Sequence, residues 1–127
     1  MLTNEITREN LNKLVVRFYA KVIKDDLIGP IFVDVLGDDM KSEKWQEHIQ
    51  LLTDFWASIG LGDGSYMSSP FAPHVAFRDR LSVEAFDQWM KLFYEALNTI
   101  YEPKLAELFL ARAKNFAANF IRNLQLS

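Results

Sequence analysis

Apolar side chains recur at helical spacing in four long stretches of this chain, and capping hydroxyls, glycines or prolines punctuate the intervals. In the first stretch Thr7 stands as an N-cap, with Glu9 in the first turn to complement the helix dipole. Leu11, Leu14, Val15, Phe18 and Val22 follow on one arc, and Tyr19 lies on the same broad face. Gly29-Pro30 should end this helix, glycine past its end and proline opening the next turn. The short apolar run Ile31–Leu36, closed by Gly37, reads as a turn of helix.

Ser42 caps the second long stretch, where Trp45, Ile49, Leu52, Phe55, Trp56 and Ile59 share an apolar arc. His48 falls inside that arc and so faces the core. Gly60, Gly62 and Gly64 then open a loop that runs to Pro70-Phe71-Ala72-Pro73-His74-Val75-Ala76-Phe77. Two prolines make that segment too irregular for a long helix, and its apolar residues require it to pack, which points His74 into an apolar pocket. Ser82 caps a third helix with the stripe Phe86, Trp89, Met90, Phe93, Ala96, Leu97 and Ile100. Glu102-Pro103 starts the last helix, which carries Leu105, Leu108, Phe109, Phe116 and Phe120, with Arg112 in the middle of the stripe. No stretch alternates at the strand period and no hairpin dipeptide occurs. The pattern predicts an all-α chain of four main helices plus short pieces.

Length and composition narrow the reading. At 127 residues the chain suits a single domain over 1–127 with a core that needs no staples. Ten Phe and three Trp are a heavy aromatic load for that length and favour a large surface to pack against. The net charge of −3, with no basic stripe, argues against a nucleic-acid partner. The absence of cysteine excludes disulfides, iron–sulfur clusters, thiolate zinc sites and thioether-linked haem. With no signal-like N-terminus and no span-length apolar run, the chain reads as soluble and cytoplasmic, with no membrane partner.

Most chemistries then drop out. Glu47-His48 has no second histidine four residues on, so the zincin motif is absent. A di-iron bundle needs Glu-x-x-His on paired helices, and only one histidine lies on a regular helix face. No nucleophile elbow occurs, and Gly60-Leu61-Gly62-Asp63-Gly64 lacks the lysine of a phosphate loop. One imidazole as axial ligand to haem iron, in an aromatic pocket, remains. Tyr19, His48 and Trp89 would offer donors on buried arcs, and tryptophan can only donate. Each has a plainer reading as core, and so do Phe32 and Phe55. Arg112 suits a haem propionate or, more commonly, a carboxylate on a neighbouring helix. The residues alone leave haem and a cofactor-free helical interaction or regulatory domain both open.

The order of several short pieces adds to this. Phe18-Tyr19, Gly29-Pro30-Ile31-Phe32, Trp45-Gln46-Glu47-His48, Phe55-Trp56, His74 and Phe86-x-x-Trp89-x-x-x-Phe93 together resemble a truncated haemoglobin of the third group, over nearly the whole chain. The resemblance implies a globin-like, truncated two-over-two helical sandwich around haem b. It implies His74 as the proximal iron ligand, Tyr19 and His48 as distal residues, and Trp89 as the pocket tryptophan. It sets Phe32 against the porphyrin, Leu52 and Phe55 as wall residues, and Phe93 among the haem contacts. Double-glycine motifs of the first two groups are missing, in keeping with the third. The run Val75-Ala76-Phe77-Arg78-Asp79 departs from the Leu- and Pro-containing run of the family, and Arg78, one turn beyond His74, suits a propionate or, more commonly, solvent. The implied function is tight binding of O2, CO and NO through a polar distal pocket, a poor design for a carrier that must unload. Redox chemistry on NO or peroxide is then the expected use, with a peroxidase-like or NO-oxidising haem enzyme served by a reductase as the enzymatic version.

Overall fold

The computed structural model of the chain describes residues 2–62 and 78–126. Thr7 caps α1 (Arg8–Lys24) as its sequence position predicts: its hydroxyl accepts the Asn10 backbone N–H, and the Asn10 side chain accepts the Thr7 N–H. Asparagine thus completes a capping box more often closed by Glu or Gln. Leu11, Leu14, Val15, Phe18, Tyr19 and Val22 are buried, the arc read from the sequence.

The helix ends before Gly29, because Asp25 intervenes. Its carboxylate accepts the N–H groups of Leu27 and Ile28 and the Gln88 side-chain amide, at 2.9–3.0 Å and 2.6 Å. Gly29 therefore opens α2 (Gly29–Leu36), a full eight-residue helix where a single turn was expected. Its lack of a side chain answers to space: a Cβ there would lie 2.7 Å from the Val22 carbonyl oxygen. Gly37, at φ 86°, closes α2 in a conformation that favours glycine.

Ser42 and Ser82 cap α3 (Glu43–Gly60) and α4 (Val83–Leu97), accepting the N–H groups of Trp45 and Ala85. A 3-10 turn, Arg78–Arg80, leads into α4. Ile100, counted in the α4 stripe by periodicity, is buried in the turn beyond that helix. Pro103 starts α5 (Pro103–Leu124), whose buried face is Ala106, Phe109, Leu110, Ala113, Ala117, Phe120 and Leu124. Two expectations fail on this helix: Leu108 is 60% exposed and Arg112 faces outward. Both lie off an arc held by small alanines, which a reading weighted towards large side chains passes over.

Helix α1 packs on α2, α3 and α4, and α4 packs on α5. The α1–α3 pair lies over the α4–α5 pair, a two-over-two arrangement, and the described residues contain no strand beyond an isolated bridge of Thr3 with Tyr101. Trp45, Tyr101, Phe93 and Leu97 are among the most deeply buried side chains. No described helix is long and apolar enough to cross a membrane.

Candidate functional site

Between the helix pairs lies a cavity of about 310 Å³. The size is that of a small-molecule site rather than a packing flaw. All five helices wall it. Small side chains at Ala85, Ala113 and Ala117 leave the room, while Phe32, Phe55, Trp56, Phe86, Phe116 and Phe120 supply aromatic walls. Against this apolar lining stand three polar groups: the Tyr19 hydroxyl, the His48 ring and the Trp89 indole.

Tyr19 is 2% exposed and held by rings on several sides. Phe18, Phe32, Trp45 and His48 meet it edge-on at centroid distances of 4.9–5.5 Å. Trp45 is fixed in turn by its indole N–H donating to the Gly37 carbonyl at 2.8 Å. Packing therefore holds the Tyr19 ring, and its hydroxyl lies 2.9 Å from His48 Nε2. Burial raises the Tyr19 pKa, so the phenol keeps its proton and stays a donor. Burial lowers the His48 pKa to about 4, so the imidazole is neutral near pH 7.

A neutral imidazole allows two arrangements of this pair. Tyr19 can donate to an unprotonated Nε2, or a protonated Nε2 can donate to the Tyr19 oxygen. In the second arrangement the phenolic proton is free to point at a third partner in the cavity. The pair can thus present a donor to a ligand without either residue becoming charged.

The expected site residues divide into three groups. Tyr19, Phe32, His48, Leu52, Phe55 and Trp89 all line the cavity, brought there from four helices. Phe93 stands one layer behind: it is 1% exposed and stacks on Trp89 and Trp56 at 4.8 and 5.1 Å. His74 and the Arg78 side chain lie outside the described residues. Periodicity had also missed Ile28, Ile31, Leu51 and Leu81 as lining, and the α5 contribution of Ala113 and Ala117. The alanines, four apart on the buried face of α5, were the available signal. Among the described residues no group of three His, Cys, Asp or Glu side chains is placed to hold a metal ion.

The lining suits the haem implied by the resemblance. A flat apolar macrocycle meets aromatic and aliphatic walls, and the Tyr19 hydroxyl and Trp89 indole can donate to a small anionic ligand.

Comparison with known proteins bears on the same point. No family model matches the chain. The group 3 truncated haemoglobin ctb of Campylobacter jejuni is 37% identical over 115 residues, spanning 91% of this chain and 88% of that protein. The crystal structure of group III truncated haemoglobin from Campylobacter jejuni superposes with a TM-score of 0.86 at 36% identity, over 98% of this chain and 95% of that one. Agreement of sequence and fold over nearly the full length, with the cavity set between the helix pairs, establishes that the chain belongs to the group 3 truncated haemoglobins.

Proposed function

We propose that the cavity holds haem b and that the chain keeps diatomic ligands (O2, CO and NO) there tightly, for redox chemistry on NO or peroxide rather than oxygen transport. On this reading residues 1–127 form one domain, the protein is cytoplasmic, and a reductase supplies electrons. His74 is the proposed axial ligand, Phe32, Leu52 and Phe55 pack the macrocycle, Phe93 backs Trp89, and Arg78 faces a propionate. Haem, when bound through one histidine, supplies an iron centre with an open position for a small ligand. The observation that carries the reading is the Tyr19–His48 hydrogen bond set into a cavity whose described lining is otherwise apolar but for the Trp89 indole.

The protein's own part is donation and exclusion. Tyr19, protonated and fixed by its ring contacts, directs one hydrogen bond into the cavity. Trp89, packed between Phe18 and Phe93, lines the cavity, and its indole N–H can only donate. A hydrogen bond to a charged acceptor contributes about 1.5–3 kcal/mol. Two such donors hold an anionic ligand by roughly 3–6 kcal/mol, slowing release by about a hundred-fold to more than ten-thousand-fold. The apolar walls keep competing water away, which strengthens both bonds. His48 sets the direction of the Tyr19 proton: with Nε2 protonated and donating to the Tyr19 oxygen, the phenolic proton turns to the cavity.

The test is an absorption spectrum of the purified protein, ferric and ferrous, with and without carbon monoxide. A Soret band near one haem per chain, shifting with carbon monoxide, is expected. Protein that neither carries nor takes up haem stoichiometrically refutes the proposal.

A further inference from the structure

Among the described residues, no side chain lining the cavity carries a positive charge. A porphyrin of the b type brings two carboxylates, and a carboxylate is not left unpaired among apolar groups. Its charged edge must therefore emerge at the mouth. Two lining residues mark that opening by their exposure, Val35 at 38% and Leu51 at 39%. Helix α2 forms one lip. The 3-10 turn with Leu81, another lining residue, forms the other. Asp34, beside Val35, and Arg80, beside Leu81, join these lips through an ion pair of 2.8 Å.

The pair is loosely committed. Its side chains are 62% and 39% exposed for Asp34 and Arg80. An exposed ion pair is held weakly, so a second carboxylate on the same rim exchanges for the first at little cost. A guanidinium suits the exchange, since its planar fork meets a carboxylate through two parallel hydrogen bonds.

We infer that Arg80 is the cation for a haem propionate and that Asp34 competes with it for that arginine. Asp34 is the partner of the guanidinium in this structure; on the proposed reading a seated haem draws it to the propionate and Asp34 is released to solvent. This rests on the haem reading above and adds a second arginine of the same turn to the proposed Arg78. The consequence is a difference in sign. Asp34 works against haem retention and Arg80 works for it. A plain strut between the lips predicts the opposite, because either substitution cuts the same ion pair.

Haem loss to an excess of a haem-scavenging apoprotein is measured for the wild type, Arg80→Gln, Asp34→Asn and the double variant, with the urea midpoint of each apoprotein alongside. Arg80→Gln is expected to lose haem about tenfold faster, equivalent to about 1.4 kcal/mol. Asp34→Asn should lose it about two- to five-fold more slowly, the double variant should follow Arg80→Gln, and all differences should shrink at about 0.5 M salt. The apoproteins should unfold at nearly the same urea concentration, as befits an exposed pair. Equal acceleration in both single variants, or no change in Arg80→Gln, overturns the inference. A wild type that takes up no haem overturns the haem reading itself, and that failure shows before any variant is made.

Discussion

Replacing Tyr19 by Phe removes one oxygen atom and little else. The ring is 2% exposed and wedged edge-on among Phe18, Phe32, Trp45 and His48, contacts that a phenylalanine keeps. Two hydrogen bonds are at stake. The first, to His48 Nε2, joins neutral partners, and its loss should cost the apoprotein about 1 kcal/mol. The second is the bond to a captive ligand, whose acceptor atom carries charge and which therefore contributes about 1.5–3 kcal/mol. Oxygen release should accelerate roughly ten- to more than a hundred-fold, with the association rate changed far less, because the donor acts after the ligand has arrived. Stopped-flow displacement of oxygen measures this directly, and urea unfolding of the apoprotein measures the first term separately. An unchanged release rate in Tyr19→Phe would show that the hydroxyl never reaches the ligand. Trp89 would then have to supply the retention unaided, which Trp89→Phe in the same assay decides.

Further predictions concern the fold and its response to pH. His48, held near pKa 4 against an ordinary value of 6.5, takes up a proton on unfolding between those values. Its contribution is complete above about pH 6.5 and is lost as pH falls towards 4, with a total span of about 3 kcal/mol. Urea midpoints of apoprotein at pH 7.5 and 5 should differ more in the wild type than in His48→Gln; equal differences refute the assignment. Gly29→Ala places a Cβ against the Val22 carbonyl and should cost about 1–3 kcal/mol, read as a lowered thermal midpoint. Asp25→Ala frees the Leu27 and Ile28 N–H groups and the Gln88 amide together, and should lower stability by about 1–3 kcal/mol in urea unfolding. Burial raises the Asp25 pKa, but the bonds from Ile28, Gln88 and Leu27 and the charge of Lys91 outweigh it and leave it lowered. The wild type should therefore lose that advantage in acid while Asp25→Ala does not.

Helix starts were legible because their signals are local. Thr7, Ser42 and Ser82 each cap the helix that follows them, whatever the rest of the chain does. The arcs of α1 and α3 were legible for a related reason, since large apolar residues at the right spacing leave one face to bury. What escaped was set by neighbours distant in sequence. Gly29 looks like a helix stop, but its role comes from the close approach of the α1 backbone. Leu108 read as core, and Arg112 as a charge set in the buried stripe, because Ala106, Ala113 and Ala117 carry little weight in a hydrophobic pattern, although small residues are what allow a cavity beside α5. The same limit applies to the site. Tyr19 and His48 could each be placed on a buried face, but their 2.9 Å contact depends on how α1 crosses α3, which no single helix encodes. Arg80 gave no signal at all: only the position of α2 brings Asp34 to it.

The central proposal is that His74 is the axial ligand of a haem held in the cavity that Tyr19 and His48 line. Resonance Raman spectra of the ferrous protein, taken for the wild type and for His74→Gly with and without added imidazole, test it most directly. The iron–histidine stretching band should be present in the wild type, absent in His74→Gly, and restored in altered form by free imidazole. A His74→Gly protein that keeps its haem with the original band would contradict the account.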